Sequence, residues 1–289
     1  MAKEPKASAP KAAEEEKKAL ATVKQTLPAE AVSDLYEDAG IDSFRAEDVA
    51  LPYVTILQTT SEQVKKQKAN FIEGAEVGMF VNTATERLFK GEDGIDFIVA
   101  KSVKEWVEWK PEMGGFVRNW GQDESRRNQS QQDDTGRWKT PDGNDLVETG
   151  VLYVLMLDLK NPDALPERAI ISLSGTQFKK FKKLNAMITS FVLPRPDGKG
   201  SFTPACFARA YHAVSVPEEN DKGDWFGWKI TALDRTHNLP GGADLYQQAK
   251  AFRELIDKGE VRVAPPPGAE PAAGAPTGKK DDKDDDIPF

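Results

Sequence analysis

The sequence predicts a mainly β protein built on a five-stranded barrel, with extra strands before the barrel, a helix after it and a disordered tail at each end. Two observations carry this expectation. The middle of the chain alternates short runs rich in β-branched and aromatic residues with Gly-, Pro- and Asp-containing segments, the pattern of strands and turns. Both ends are of low complexity. Residues 1–33 are mostly Ala, Lys, Glu and Pro, and VAPPPGAEPAAGAPTGKK at 263–280 is a Pro/Gly/Ala linker.

The elements follow in order between residues 34 and 262. Tyr53–Leu57 and Val77–Val81 are short strand-like runs on either side of the polar SEQVKKQKAN, which carries Lys65, Lys66 and Lys68. Ile95–Trp109 is a long strand, dense in β-branched and aromatic residues. The polar, Gly- and Gln-rich stretch 111–148 has no periodicity and predicts a long loop. Thr149–Leu159 is almost wholly apolar and predicts a buried strand; Arg168–Leu173 is another.

Ser174 can cap a helix running to about Ser190, with Phe178, Phe181, Leu184, Ile188 and Phe191 on one arc. The segment DGKGS at 197–201 predicts a hairpin turn. Phe202–Val216 and Trp225–Leu233 form two further strands joined by the turn-forming PEENDKGD. The last element is a helix over about 243–258, with Leu245, Ala249, Phe252 and Ile256 on one stripe and a stop at Gly259. From 95 to 233 the order is strand, strand, strand, helix, strand, strand, as in an OB-fold.

Composition narrows the chemistry. The lone cysteine, Cys206, excludes an internal disulfide, and with only His212 and His237 a zinc site of Cys/His type is not expected; no metal or cofactor is. The chain lacks GxxxxGK[ST] and GxSxG, and two histidines in strand contexts offer no catalytic set, so the expectation is a protein without enzymatic activity. No apolar run approaches the ~18 residues that cross a bilayer, which predicts a soluble cytoplasmic protein with no membrane partner.

Net charge is −8, from 39 Lys and Arg against 47 Asp and Glu, but it is unevenly placed. From Arg168 to His212 eight basic residues face one acid, Asp197, giving +7. Lys179, Lys180, Lys182 and Lys183 cover one face of the proposed helix, a single-sign patch that calls for an anion.

Six tryptophans supply candidate stacking surfaces for unpaired bases. Trp120 and Trp138 fall in the 111–148 stretch among arginines that include Arg126 and Arg127. Trp106 and Trp109 lie three apart in a strand and point to opposite faces, so one of them belongs to the core; Trp225 and Trp228 split the same way.

The chain closes on DDKDDDIPF at 281–289. Its apolar end, Ile287, Pro288 and Phe289, suits a pocket with an apolar floor and a basic rim that captures the α-carboxylate, and the aspartates steer it to positive surface. Asp284, Asp285, Asp286, Ile287, Pro288 and Phe289 resemble the C-terminal tip of bacterial single-stranded DNA-binding proteins, and LPYVTILQ and WVEWKP are similar to stretches of bacteriophage single-stranded DNA-binding proteins.

The resemblance implies a protein that coats single-stranded DNA in phage replication, recombination or repair. It would work in the host cytoplasm and recruit partner proteins through its tip. Self-association is left open. Two alternatives stand beside it: an adaptor or transcription regulator that uses the same tip without coating DNA, and a nuclease.

Overall fold

The computed structural model describes residues 50–264 and 266, apart from 162, 163 and 222. The leader 1–33, the tip 281–289 and nearly all of the linker lie outside the described residues. A small antiparallel sheet opens the described part: β1 (Val54–Ile56), β2 (Phe80–Asn82) and β3 (Leu88–Phe89).

Two long antiparallel strands follow, β4 (Ile95–Trp109) and β8 (Asp145–Leu157), paired from Asp96↔Leu157 to Trp109↔Asp145. Each is too long for one set of neighbours. At one end β4 pairs with β12 (Arg209–Asn220), which pairs with β13 (Gly223–Arg235), and β8 pairs with β9 (Glu167–Ser174). This end is a curled half-barrel of order β13-β12-β4-β8-β9, and the chain is mainly β as its sequence predicts.

At the other end the same two strands run on into an extension. There β4 pairs with β5 (Phe116–Gly121), and β8 pairs with β7 (Trp138–Lys139), which pairs with β6 (Gln131–Gln132). A short helix, α1 (Ser125–Gln129), links β5 to β6. The 111–148 stretch is therefore not a long loop. Apart from the start of β8, its strands are two to six residues long, with β5 formed on the end of β4, β7 on the start of β8 and β6 on β7.

Helix α2 (Phe178–Ser190) crosses from β9 to the antiparallel pair β10 (Leu193–Pro194) and β11 (Ser201–Phe202), whose turn is the one expected at 197–201. A 3₁₀ turn, Gly175–Gln177, precedes α2, and the Ser174 side chain makes no capping bond, a correction to its expected role. Helix α3 (Gly242–Asp257) closes the described part and ends at Gly259 in the left-handed conformation. No helix among the described residues is long and apolar enough to cross a membrane.

Both faces of the half-barrel are covered, which is why β8 reads as an unbroken apolar run. On the inner face Phe97, Val99, Leu152, Val154, Ile171 and Trp228 pack with Phe181 and Leu184 of α2. On the outer face Ile98, Ala100, Tyr153, Leu155 and Ile170 pack with Ala249 and Phe252 of α3. A bulge at Ala100, between Val99↔Val154 and Lys101↔Tyr153, resets the alternation. Ser102, Trp106 and Glu108 thereby share the inner face, where the Ser102 hydroxyl donates to Asn185 Oδ1 of α2 at 2.8 Å.

The outer strands β9 and β13 do not pair with each other. The segment around β1 touches both: the Ile170 amide donates to the Pro52 carbonyl at 2.8 Å, and the Gln58 side chain exchanges two 2.9 Å hydrogen bonds with the Phe226 backbone. A side-chain amide thus satisfies an edge that would otherwise invite another strand.

Gly150 sets how closely α2 can dock, since a Cβ there would lie 2.1 Å from Phe181 Cγ. Gly150→Ala should lower stability by about 1–3 kcal/mol through overpacking. Urea unfolding checks it; an unchanged midpoint would show that α2 moves aside without cost.

Candidate nucleic-acid interface

The extension is organised by one buried charge. Glu108 is 1% exposed, and its carboxylate accepts four hydrogen bonds. Trp120 Nε1 donates at 2.9 Å, Arg126 Nε at 3.2 Å and Arg126 Nη2 at 2.9 Å, and Asn144 Nδ2 at 2.8 Å. Burial alone would raise its pKa, but the bonds from Arg126, Asn144 and Trp120 outweigh burial and hold it at about 2. Arg126 also pairs with Asp142, and both carboxylates keep its guanidinium charged. β5, α1 and the turn before β8 are thereby tied to β4. A second buried acid, Glu105, accepts from Asn119 Nδ2 at 2.7 Å.

The expected contact residues divide into fixed and available. Trp106 is 4% exposed and edge-on to Trp138, with ring centroids 6.4 Å apart; it is a packing residue, not a stacking platform. Trp228, also 4% exposed, packs against Phe80 at 4.9 Å and is corrected in the same way. Arg126, with its side chain 15% exposed, is held by Glu108 and Asp142 and is not free to meet a phosphate.

Lys180 pairs with Glu218, which also accepts from Gln177 at 3.0 Å and Trp225 Nε1 at 3.1 Å. The lysine face of α2 therefore has an internal acid after all, 38 residues away in sequence. Burial opposes ionisation of Glu218, and the bonds from Lys180 and Gln177 outweigh it and hold its pKa low.

The rest are accessible. Lys179, Lys182 and Lys183 are exposed on α2, with Lys182 Nζ 4.8 Å from the Phe178 ring centroid. Trp109 is half-buried beside Phe116, and Trp225 is half-buried. Trp120 is half-buried, with the Arg118 guanidinium 4.4 Å from its ring centroid. Trp138 is half-buried, with Arg127 at 4.4 Å from its ring.

On one edge of β8, β7 covers Asp145 and Leu146 and β9 begins at Thr149, so no described strand covers Val147 and Glu148. A cavity of about 660 Å³ opens beside this gap. It is bordered by Arg137 and Trp138 of the extension and by Phe178 at the start of α2. Trp138, one of the two tryptophans of the 111–148 stretch, and Phe178, the first residue of the lysine-bearing helix, meet here.

Phe178 was legible only as part of the apolar arc of α2. Glu108 had a signal, a carboxylate within the otherwise apolar WVEW, but its partners Arg126 and Asn144 lie 18 and 36 residues away. Cys206, expected as a small apolar residue, is half-buried, and its thiol donates to the Ala100 carbonyl at 3.1 Å.

Fold and site define a mainly β protein with a curled half-barrel and, at the root of its extension, a cleft bordered by Trp138, Phe178 and Arg137. Residues 18–262 match the model of the Pam3 phage gp34-like proteins, and the chain belongs to that phage family. No curated protein and no solved structure matches the chain.

Glu108 predicts an acid dependence with a definite sign. Its folded pKa lies below the ordinary 4.5, so its contribution to stability is complete above that value and is lost as pH falls toward about 2. The full difference is on the order of 3 kcal/mol. Glu108→Gln should be less stable than the parent at neutral pH, with the gap narrowing as pH falls to about 3. Denaturant unfolding across that range checks this; a gap independent of pH would contradict it.

Proposed function

We propose that the chain is a non-enzymatic single-stranded DNA-binding protein of phage replication or recombination, and that its C-terminal tip recruits partner proteins. The cleft carries this reading. Binding a strand without sequence preference requires a positive path for phosphates and exposed rings for bases. Trp138, Phe178 and Arg137 border one cavity, Lys182 lies 4.8 Å from the Phe178 ring, and Lys179 and Lys183 are exposed on the same helix.

The connectivity adds support, since three strands, a helix and two strands is the order of an OB barrel. Binding across the outer strand face is disfavoured because α3 covers it. The strand would instead follow the junction of half-barrel and extension.

The expected behaviour is quenching of tryptophan fluorescence by a mixed-sequence single strand, with affinity falling as salt rises. Duplex should bind much more weakly, because its bases are not free to stack. Trp138→Ala should weaken single-strand binding by about 5- to 100-fold, the range of one lost stacking contact, while leaving the fold intact. Fluorescence anisotropy of labelled oligonucleotides with circular dichroism of the variant measures both. Equal affinity for duplex and single strand would contradict the proposal.

Partner recruitment rests on the terminal DDDIPF and has its own test. Removing Phe289 deletes the ring and moves the α-carboxylate to Pro288, so partner capture from a bacterial lysate should fail while DNA binding persists. Undiminished capture would reduce the tip to a solubilising tail. Capture by the tip combined with no affinity for any single strand would favour the adaptor reading.

A further inference from the structure

Acids outnumber bases along the cleft, where Arg137 is the one basic residue among the described lining residues. Three carboxylates border the cavity, those of Glu112, Asp145 and Glu148. Lys104 lies 3.3 Å from Glu148, and Lys139 pairs with Asp145. Carboxylate oxygens only accept hydrogen bonds, so they suit a neutral ring with donors on its edge.

Asp145 sharpens this. Its side chain is 6% exposed, Lys139 holds Oδ1, and Oδ2 is buried without a hydrogen-bond donor from the chain. A buried acceptor in that state is costly unless a donor reaches it from outside.

We propose that the cavity is a single-base pocket that takes a nucleobase bearing an exocyclic amino group, cytosine in preference to thymine, with Asp145 as the acceptor of that group. The inference rests on the single-strand reading above and adds base discrimination to it. The ring stacks on Trp138 or Phe178, the backbone phosphate stays at the rim with Arg137 and Lys182, and the base edge turns toward the acids.

Cytosine offers the N4 amino group, which pairs with carboxylates in base recognition. Thymine offers one N–H between two carbonyl oxygens, and those oxygens would face Glu112, Asp145 and Glu148. Cost arises on the wrong base as well as gain on the right one.

The test uses the full-length protein and two probes, homo-oligomers of deoxycytidine and of deoxythymidine of equal length, titrated by tryptophan fluorescence at neutral pH or slightly above. The cytidine strand should bind at least about fivefold more tightly, the lower end of what one good base contact confers. Asp145→Asn should bring the ratio to within about twofold.

Saturable binding of both strands with equal affinity would overturn the pocket's discrimination and leave the single-strand reading standing. No binding of either would overturn both. A folded Asp145→Asn protein that kept the full preference would overturn the role of Asp145. If that variant did not fold, the parental ratio alone would decide.

Discussion

The register between β4 and β8 governs the rest of the structure. These strands pair over almost their whole length, and one half-barrel cannot occupy all of it. The residue inserted at Ala100 lets the ladder serve two purposes. Before it, alternation buries Phe97 and Val99 under α2 and Ile98 under α3. After it, Trp106 and Glu108 return to the inner face, so the extension presents its tryptophan side toward the same side of the sheet as α2. Without the reset, Glu105 and Val107 would take those places, and the Glu108 network could not form.

Charge is used locally, within pairs that join one element to another. Arg126, Lys139 and Lys180 are consumed by Glu108, Asp145 and Glu218, each fixing one element to another. Such pairs hold geometry at a desolvation cost, and breaking one is more damaging than never having built it. Other cations stay accessible, with Arg137 at the cavity and Lys179, Lys182 and Lys183 exposed on α2. The total of −8 describes the chain and not that surface.

Much of the fold was legible because its causes are local. Ile95–Trp109 reads as one strand from its β-branched and aromatic content, and the structure gives it the same bounds. α2 and α3 follow from their apolar stripes, and Gly259 stops the last helix by adopting a left-handed conformation. The extension was not legible, since two-residue polar segments such as Gln131–Gln132 have no strand signal of their own and become strands only through pairing with β7, which itself forms on β8. The site was legible in part for the same reason. Trp138 and the lysines carry their signal in their own neighbourhoods, whereas the capture of Arg126 by Glu108 and Lys180 by Glu218 depends on contacts that composition cannot reveal.

The central claim is that a single strand lies in the cleft between Trp138 and the start of α2. Ultraviolet cross-linking of a single-stranded oligonucleotide to the full-length protein, followed by mass spectrometry of the linked peptides, tests this most directly. The account predicts adducts on peptides containing Trp138 and Phe178 and none on α3. Adducts confined to α3 or to the small sheet of β1, β2 and β3, or a protein that forms none, would contradict it.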